Sequence, residues 1–165
     1  MKIRFWGVRG NVAMPGAYTI KYGGNTSCIE IRGNENELLI IDAGTGLREL
    51  GNYLMANDIK NGPLDAHILL THTHWDHIQG FPFFIPAFIP TNNITFYGPV
   101  GGDETLEGVV AGQMNYSYFP IKLDELRAKI RFRNLSEGEF QIGNFKITTK
   151  YLNHPVLVFG YRIEY

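Results

Sequence analysis

Ala66-His67-Ile68-Leu69-Leu70 runs directly into Thr71-His72-Thr73-His74-Trp75-Asp76-His77. A short apolar run bounded by polar residues reads as a buried strand, so three of the five histidines stand together at a strand's end. Residues two apart in extended chain project to one side, about 7 Å apart at the backbone. His72 and His74 can therefore lean onto one metal ion, while Trp75 points away. A helix starting near Asp76 makes adjacent side chains diverge by roughly 100°, so Asp76 and His77 need not face that ion, and a second metal position follows. Imidazole and carboxylate without thiolate suit Zn²⁺, one ion or two, with Mn²⁺ or Fe also fitting, and three protein ligands leave a position open for water. His67, inside the strand, reads as an ordinary core or surface histidine.

Working outward, strand-like segments recur at 2–6, 27–32, 37–42, 94–97, 129–133, 145–152 and 156–165, each rich in β-branched or aromatic residues and bounded by Gly, Pro, Asn or Asp. Leu47, Leu50, Tyr53 and Leu54 recur at helical spacing, as do Leu106, Val109, Val110 and Met114. Gly33-Asn34-Glu35-Asn36 reads as a hairpin turn, and the strand, helix, strand order from Leu38 to Leu70 as a crossover unit. At the start of the first helix, Gly44-Thr45-Gly46 is expected to cap through Thr45 rather than to cradle an anion.

No linker divides the 165 residues, so residues 1–165 are read as a single domain. A net charge of −1 supplies no global attraction to nucleic acid or to an anionic membrane, and any such partner needs a local patch. Residues 78–102 carry no formal charge, but Pro82, Pro86 and Pro90 interrupt them, which suits core or pocket wall better than a membrane helix. The N-terminus lacks the apolar centre of a signal peptide, and the lone Cys28 can form no internal disulfide. Cytoplasmic location is the expectation.

Further residues narrow the reading: Lys2-Ile-Arg-Phe-Trp-Gly-Val-Arg-Gly, Tyr22-Gly-Gly-Asn-Thr-Ser-Cys, Ile41-Asp-Ala-Gly-Thr-Gly and Tyr118-Phe-Pro. With His-x-His-x-Asp-His at residues 72–77, the sequence resembles the metallo-β-lactamase superfamily. Within that family it resembles a branch close to phosphodiesterase members such as the phosphonate-pathway cyclic phosphodiesterase and the tRNA-processing RNase Z. The resemblance implies an α+β fold, an αβ/βα sandwich of two similar halves with metals in a cleft at the rim of the sheets. It implies that His154, in Leu152-Asn-His-Pro, completes the first metal position with His72 and His74. Asp76 would contribute to the second ion and orient the water, with His77 beside it, and Asp42 would be the orienting carboxylate beneath the ligands. The family's bridging Asp and final His find no counterpart in residues 155–165. The chain thus reads as an incomplete domain, an N-terminal half plus the first strands of the second.

The function expected is hydrolysis of a small-molecule phosphodiester by a metal-activated water, with residues 81–90 and 113–120 lining the cleft. A catalytically silent metal-binding fragment is one alternative. A tRNA 3′-processing endonuclease is another, which the charge balance and the absence of a Lys/Arg cluster speak against. An open edge and an uncovered apolar face bearing Val156, Val158, Tyr161 and Ile163 would favour a homodimer through this segment.

Overall fold

The computed structural model describes residues 1–99, 101 and 104–165; Val100 and Gly102 of the charge-free segment lie outside the described residues. The elements run β1 (Lys2–Gly7), β2 (Cys28–Arg32), β3 (Leu38–Ile41), α1 (Gly46–Asn57), β4 (Asp65–Leu69), α2 (Trp75–Ile78), β5 (Asn93–Pro99), α3 (Leu106–Gly112), β6 (Lys129–Leu135), β7 (Gly138–Ile142), β8 (Phe145–Leu152) and β9 (Val158–Glu164). β1 to β6 form one sheet in chain order, and β7 to β9 form a second. β1, β2 and β3 pair antiparallel, while β3 to β6 pair parallel. The second sheet is wholly antiparallel.

Strand alternation divides the apolar residues between two cores. Leu38, Ile40, Ala66, Ile68 and Phe96 face the helices, where Leu47, Leu50 and Leu54 of α1 and Leu106 and Val110 of α3 pack on them. Leu39, Leu69 and Tyr97 face the other way and meet Ile142, Phe145 and Ile147 of the second sheet. β3 is covered on both faces, which is why it reads as an unbroken apolar run, and β4 is buried on both faces over Ile68 and Leu69.

Three sequence expectations change. β7 went unmarked, although Gly143-Asn144 between Ile142 and Phe145 is a two-residue hairpin signal, with Gly143 at φ 53°. Residues 81–90 are in part core: two 3₁₀ turns, Phe81–Phe83 and Ile85–Phe88, bury Phe81, Phe84 and Ala87 against the helical side and leave Phe83 and Ile85 exposed. The apolar face expected around β9 does not exist as drawn, because successive strand residues face opposite sides. Phe159 is buried, Tyr161 and Ile163 pack toward the main sheet, and Arg162 and Glu164 pair at 3.0 Å on the exposed side. Among the described residues β9 does keep one edge without a strand partner. No helix among them is long and apolar enough to cross a membrane.

Candidate metal centre

The parallel strands β3 and β4 end side by side, Ile41 opposite Leu69, and each delivers a functional segment at that rim. After β3 the chain turns at Asp42, whose φ of 61° places a non-glycine residue in the left-handed region. The turn is held by Ala43, which donates to the His77 carbonyl at 2.7 Å and accepts from the Gly80 amide at 2.8 Å. A Cβ on Gly80 would stand 1.9 Å from the Gly44 carbonyl oxygen, so only glycine permits this approach of the two segments. Asp42 thereby lies under the histidine run.

Four donors meet on the buried Asp42 carboxylate. Thr71 gives its amide (2.8 Å) and hydroxyl (2.9 Å) to Oδ1, and Ser27 Oγ (2.8 Å) and His77 Nδ1 (2.7 Å) bond to Oδ2. Since the Thr71 proton goes to Asp42, its oxygen accepts from His72 Nδ1 at 3.0 Å. One carboxylate thus sets two tautomers, that of His77 directly and that of His72 through Thr71, and leaves both Nε2 atoms as lone-pair donors. Nothing in the motifs that contain Thr71 and Ser27 marks either as a partner of Asp42; the adjacency of Thr71 to His72 was the available signal of a place at the site.

His74 follows in extended backbone at the N-cap of α2, and its Nδ1 lies 3.1 Å from His72 Nε2. His154 arrives from the exposed turn between β8 and β9. Its ring centroid is 5.0 Å from that of His72 and 5.3 Å from that of His74. One ligand atom from each of His72, His74 and His154 lies within 4.8 Å of the others. His77 adjoins this group, its ring centroid 4.0 Å from that of His72, and forms a pair with Asp76, Nε2 and Oδ2 3.4 Å apart; Asp76 Oδ2 also accepts from the Asn11 amide at 2.7 Å.

The electrostatics suit a cation. Burial first, then the neighbouring imidazoles of His77 and His74, hold His72 down to about 4 against the pull of Asp42, so its ring is the neutral ligand form at neutral pH. Burial alone would lower His77, but the hydrogen bond and charge of Asp42, with Asp76 behind them, raise it. Three imidazoles at this spacing fit Zn²⁺ or a similar borderline ion.

The turn between β8 and β9 is tied to the rim by two bonds: the Phe159 amide donates to the Thr71 carbonyl at 2.9 Å and Tyr161 Oη to the Leu70 carbonyl at 2.7 Å. Burial keeps the Tyr161 hydroxyl far above its ordinary range, so it remains a donor. Thr45, expected as a helix cap, makes no capping bond. Its hydroxyl accepts from the Thr26 amide at 2.9 Å, and the amides of Gly44, Thr45 and Gly46 are all spent on Ser27 and Thr26, which leaves none for an anion. Cys28 is buried, and burial raises its thiol well above the usual range. His67 Nδ1 lies 3.0 Å from Tyr97 Oη between the two sheets, away from the cluster.

The profile of the Metallo-beta-lactamase superfamily matches residues 22–159. Ribonuclease BN of Erwinia tasmaniensis is 29% identical over 140 residues, 82% of this chain and 42% of that protein. Ribonuclease Z of Lactiplantibacillus plantarum is 25% identical over 142 residues, 84% of this chain and 42% of that protein. The chain therefore spans less than half the length of these relatives. Among solved structures, the metallo-beta-lactamase fold protein YhfI of Bacillus subtilis superposes with a TM-score of 0.66 at 21% identity, over 98% of this chain and 57% of that one. A diphosphatase from the PhnP family gives 0.64 at 16% identity, over 98% and 61%. At these identities the superpositions speak for the fold.

Proposed function

From the premise that the chain belongs to the metallo-β-lactamase superfamily, we propose that it hydrolyses a phosphodiester with a water activated at the His72, His74, His154 centre. The supporting observation is that three imidazoles, two from the segment after β4 and one some eighty residues later, converge within 4.8 Å. A Zn²⁺ ion there supplies Lewis acidity, lowering the pKa of water toward about 7 and offsetting charge on phosphoryl oxygens.

The chain's own residues do the rest. His72, His74 and His154 would hold the ion, and the Asp42–Thr71 pair keeps His72 in the tautomer that can. Asp76, with Oδ2 held by the Asn11 amide, would orient the attacking water and accept its proton. His77, fixed through Nδ1 by Asp42, presents Nε2 to the same space, where a second, weaker ion or a phosphoryl oxygen would meet it.

Metal content measured alongside hydrolysis of bis(p-nitrophenyl) phosphate tests the reading. The expected result is stoichiometric metal with turnover, both lost in His72→Ala. Stoichiometric metal without turnover would replace the hydrolase with a silent metal-binding chain. RNA cleavage is a second reading, favoured by the ribonucleases among the relatives, and cleavage of a short single-stranded RNA in preference to the nitrophenyl diester would establish it.

A further inference from the structure

The loop joining β1 to β2 carries chemistry that the metal centre does not use. Residues 1–29 hold Lys2, Arg4, Arg9 and Lys21 and no acid, whereas all 16 Asp and Glu of this chain, whose net charge is −1, follow residue 29. Lys21 Nζ lies over the Tyr22 ring at 4.8 Å, and the Arg4 guanidinium over Tyr53 at 4.6 Å. Arg9 differs from both. Its Nε is buried with no hydrogen-bond partner, and it enters none of the ion pairs among the described residues. A guanidinium nitrogen left buried and unpaired is costly, and no ion pair among the described residues neutralises the charge that Arg9 brings to this loop.

Arg9 lines a cavity of about 300 Å³ together with Tyr18, Tyr22 and the backbone of Gly10 and Gly23. That volume stands at the small end of ligand sites. The side chains of Tyr18 and Tyr22 are largely exposed, at 104% and 72%, so the Tyr18 ring and the Tyr22 face that Lys21 does not cover are available to a planar group. The cavity adjoins the candidate centre: Gly10 lines it, and the amide of the next residue, Asn11, held at φ 67°, donates to Asp76.

We infer that this cavity is a substrate subsite beside the metal centre, in which Arg9 pairs with an anionic oxygen of a phosphate ester and Tyr18 and Tyr22 stack its aromatic substituent. The inference rests on the phosphodiester reading and adds to it the class of substituent. The charge-assisted bond supplies most of the hold and the ring contacts the selectivity, because every planar aromatic group offers a face to stack.

Phenyl phosphate and methyl phosphate, titrated calorimetrically into the full chain before and after treatment with chelator, test it. Phenyl phosphate is expected to bind in both states, with Arg9→Gln weakening it by about 10- to 100-fold and Arg9→Lys restoring part of the loss. Methyl phosphate is expected to bind about fivefold more weakly than phenyl phosphate, a gap that Tyr22→Ala closes. Arg9→Gln binding phenyl phosphate as the parent does, or the parent binding both probes equally, would overturn the subsite. Thermal melting of each variant accompanies the titration, and should Arg9→Gln fail to fold, Arg9→Lys and Tyr22→Ala still decide. Arg9-dependent binding without hydrolysis of bis(p-nitrophenyl) phosphate would sink the hydrolase reading alone, and hydrolysis indifferent to Arg9 would sink the subsite alone.

Discussion

The two sides of the three-histidine group are built differently. His72 is 7% exposed and clamped through Thr71 to a carboxylate with four donors, and His74 is its neighbour on the same rigid segment. His154 sits on an exposed turn, hydrogen-bonded to the rim among the described residues through the Phe159 amide and the Tyr161 hydroxyl. The first side is pre-organised by a buried polar network whose four donors all reach Asp42, the second by the docking of one sheet on another. A network of that kind resists distortion cooperatively, whereas a docked turn moves as far as two hydrogen bonds allow. Metal affinity should therefore depend more steeply on the first side than on the second.

The largest effects come from the ligands, and they separate the sides by stability rather than by metal. His72→Ala and His154→Ala should each abolish stoichiometric metal on dialysis. Without metal, however, His72→Ala should lose about 1–3 kcal/mol in urea unfolding, because it opens a buried site and strands Thr71, while exposed His154→Ala should stay within about 0.5 kcal/mol of the parent. Equal stability losses would erase the contrast. Next in size, Asp42→Asn should weaken metal about 10–100-fold in a chelator competition, since an amide cannot accept all four donors. Unchanged affinity would remove Asp42 from the site.

Thr71→Val keeps the volume and deletes the relay to His72 with one of the four donors on Asp42, so a loss near the lower end of that range, about tenfold, is expected with stoichiometry retained. Tyr161→Phe should do least: about 0.5–1.5 kcal/mol of stability for the bond to Leu70, and only a few-fold in metal affinity. Should Tyr161→Phe weaken metal more than Thr71→Val, the docked side, not the clamped one, would control the site.

Much of this was legible in one dimension. The apolar runs Leu38 to Ile41 and into Thr71, and His72, His74, Asp76 and His77 within one short segment, are local facts, set by residue identity and by side-chain chemistry. Asp42 and His154, more distant, entered through resemblance. What stayed hidden was every relation made by backbone atoms or by chance proximity of distant segments. The Asn11 amide on Asp76, the Phe159 amide on Thr71 and the Gly44–Gly80 approach involve groups that nearly every residue carries, so no residue type advertises them.

The role of Thr45 was misread for the same reason. A threonine before a helix suits a cap, but the strand that starts at Cys28 brought the Thr26 amide closer. β7 was missed because Glu139 and Gln141 dilute a five-residue strand, whose partner across the Gly143-Asn144 turn supplies most of its reason to form.

By itself, then, the sequence determined which atoms could bind a metal, where the buried strands lie, and that positive charge gathers before residue 30, because these follow from residue identity and spacing. Only the tertiary structure decided that His154 meets His72 and His74 while His77, beside His72, pairs with Asp76, that one carboxylate orients two imidazoles, and that Arg9 lines a cavity instead of an ion pair. Those outcomes depend on which backbone groups of remote segments come within about 3 Å, a distance that only the packing of the two sheets fixes.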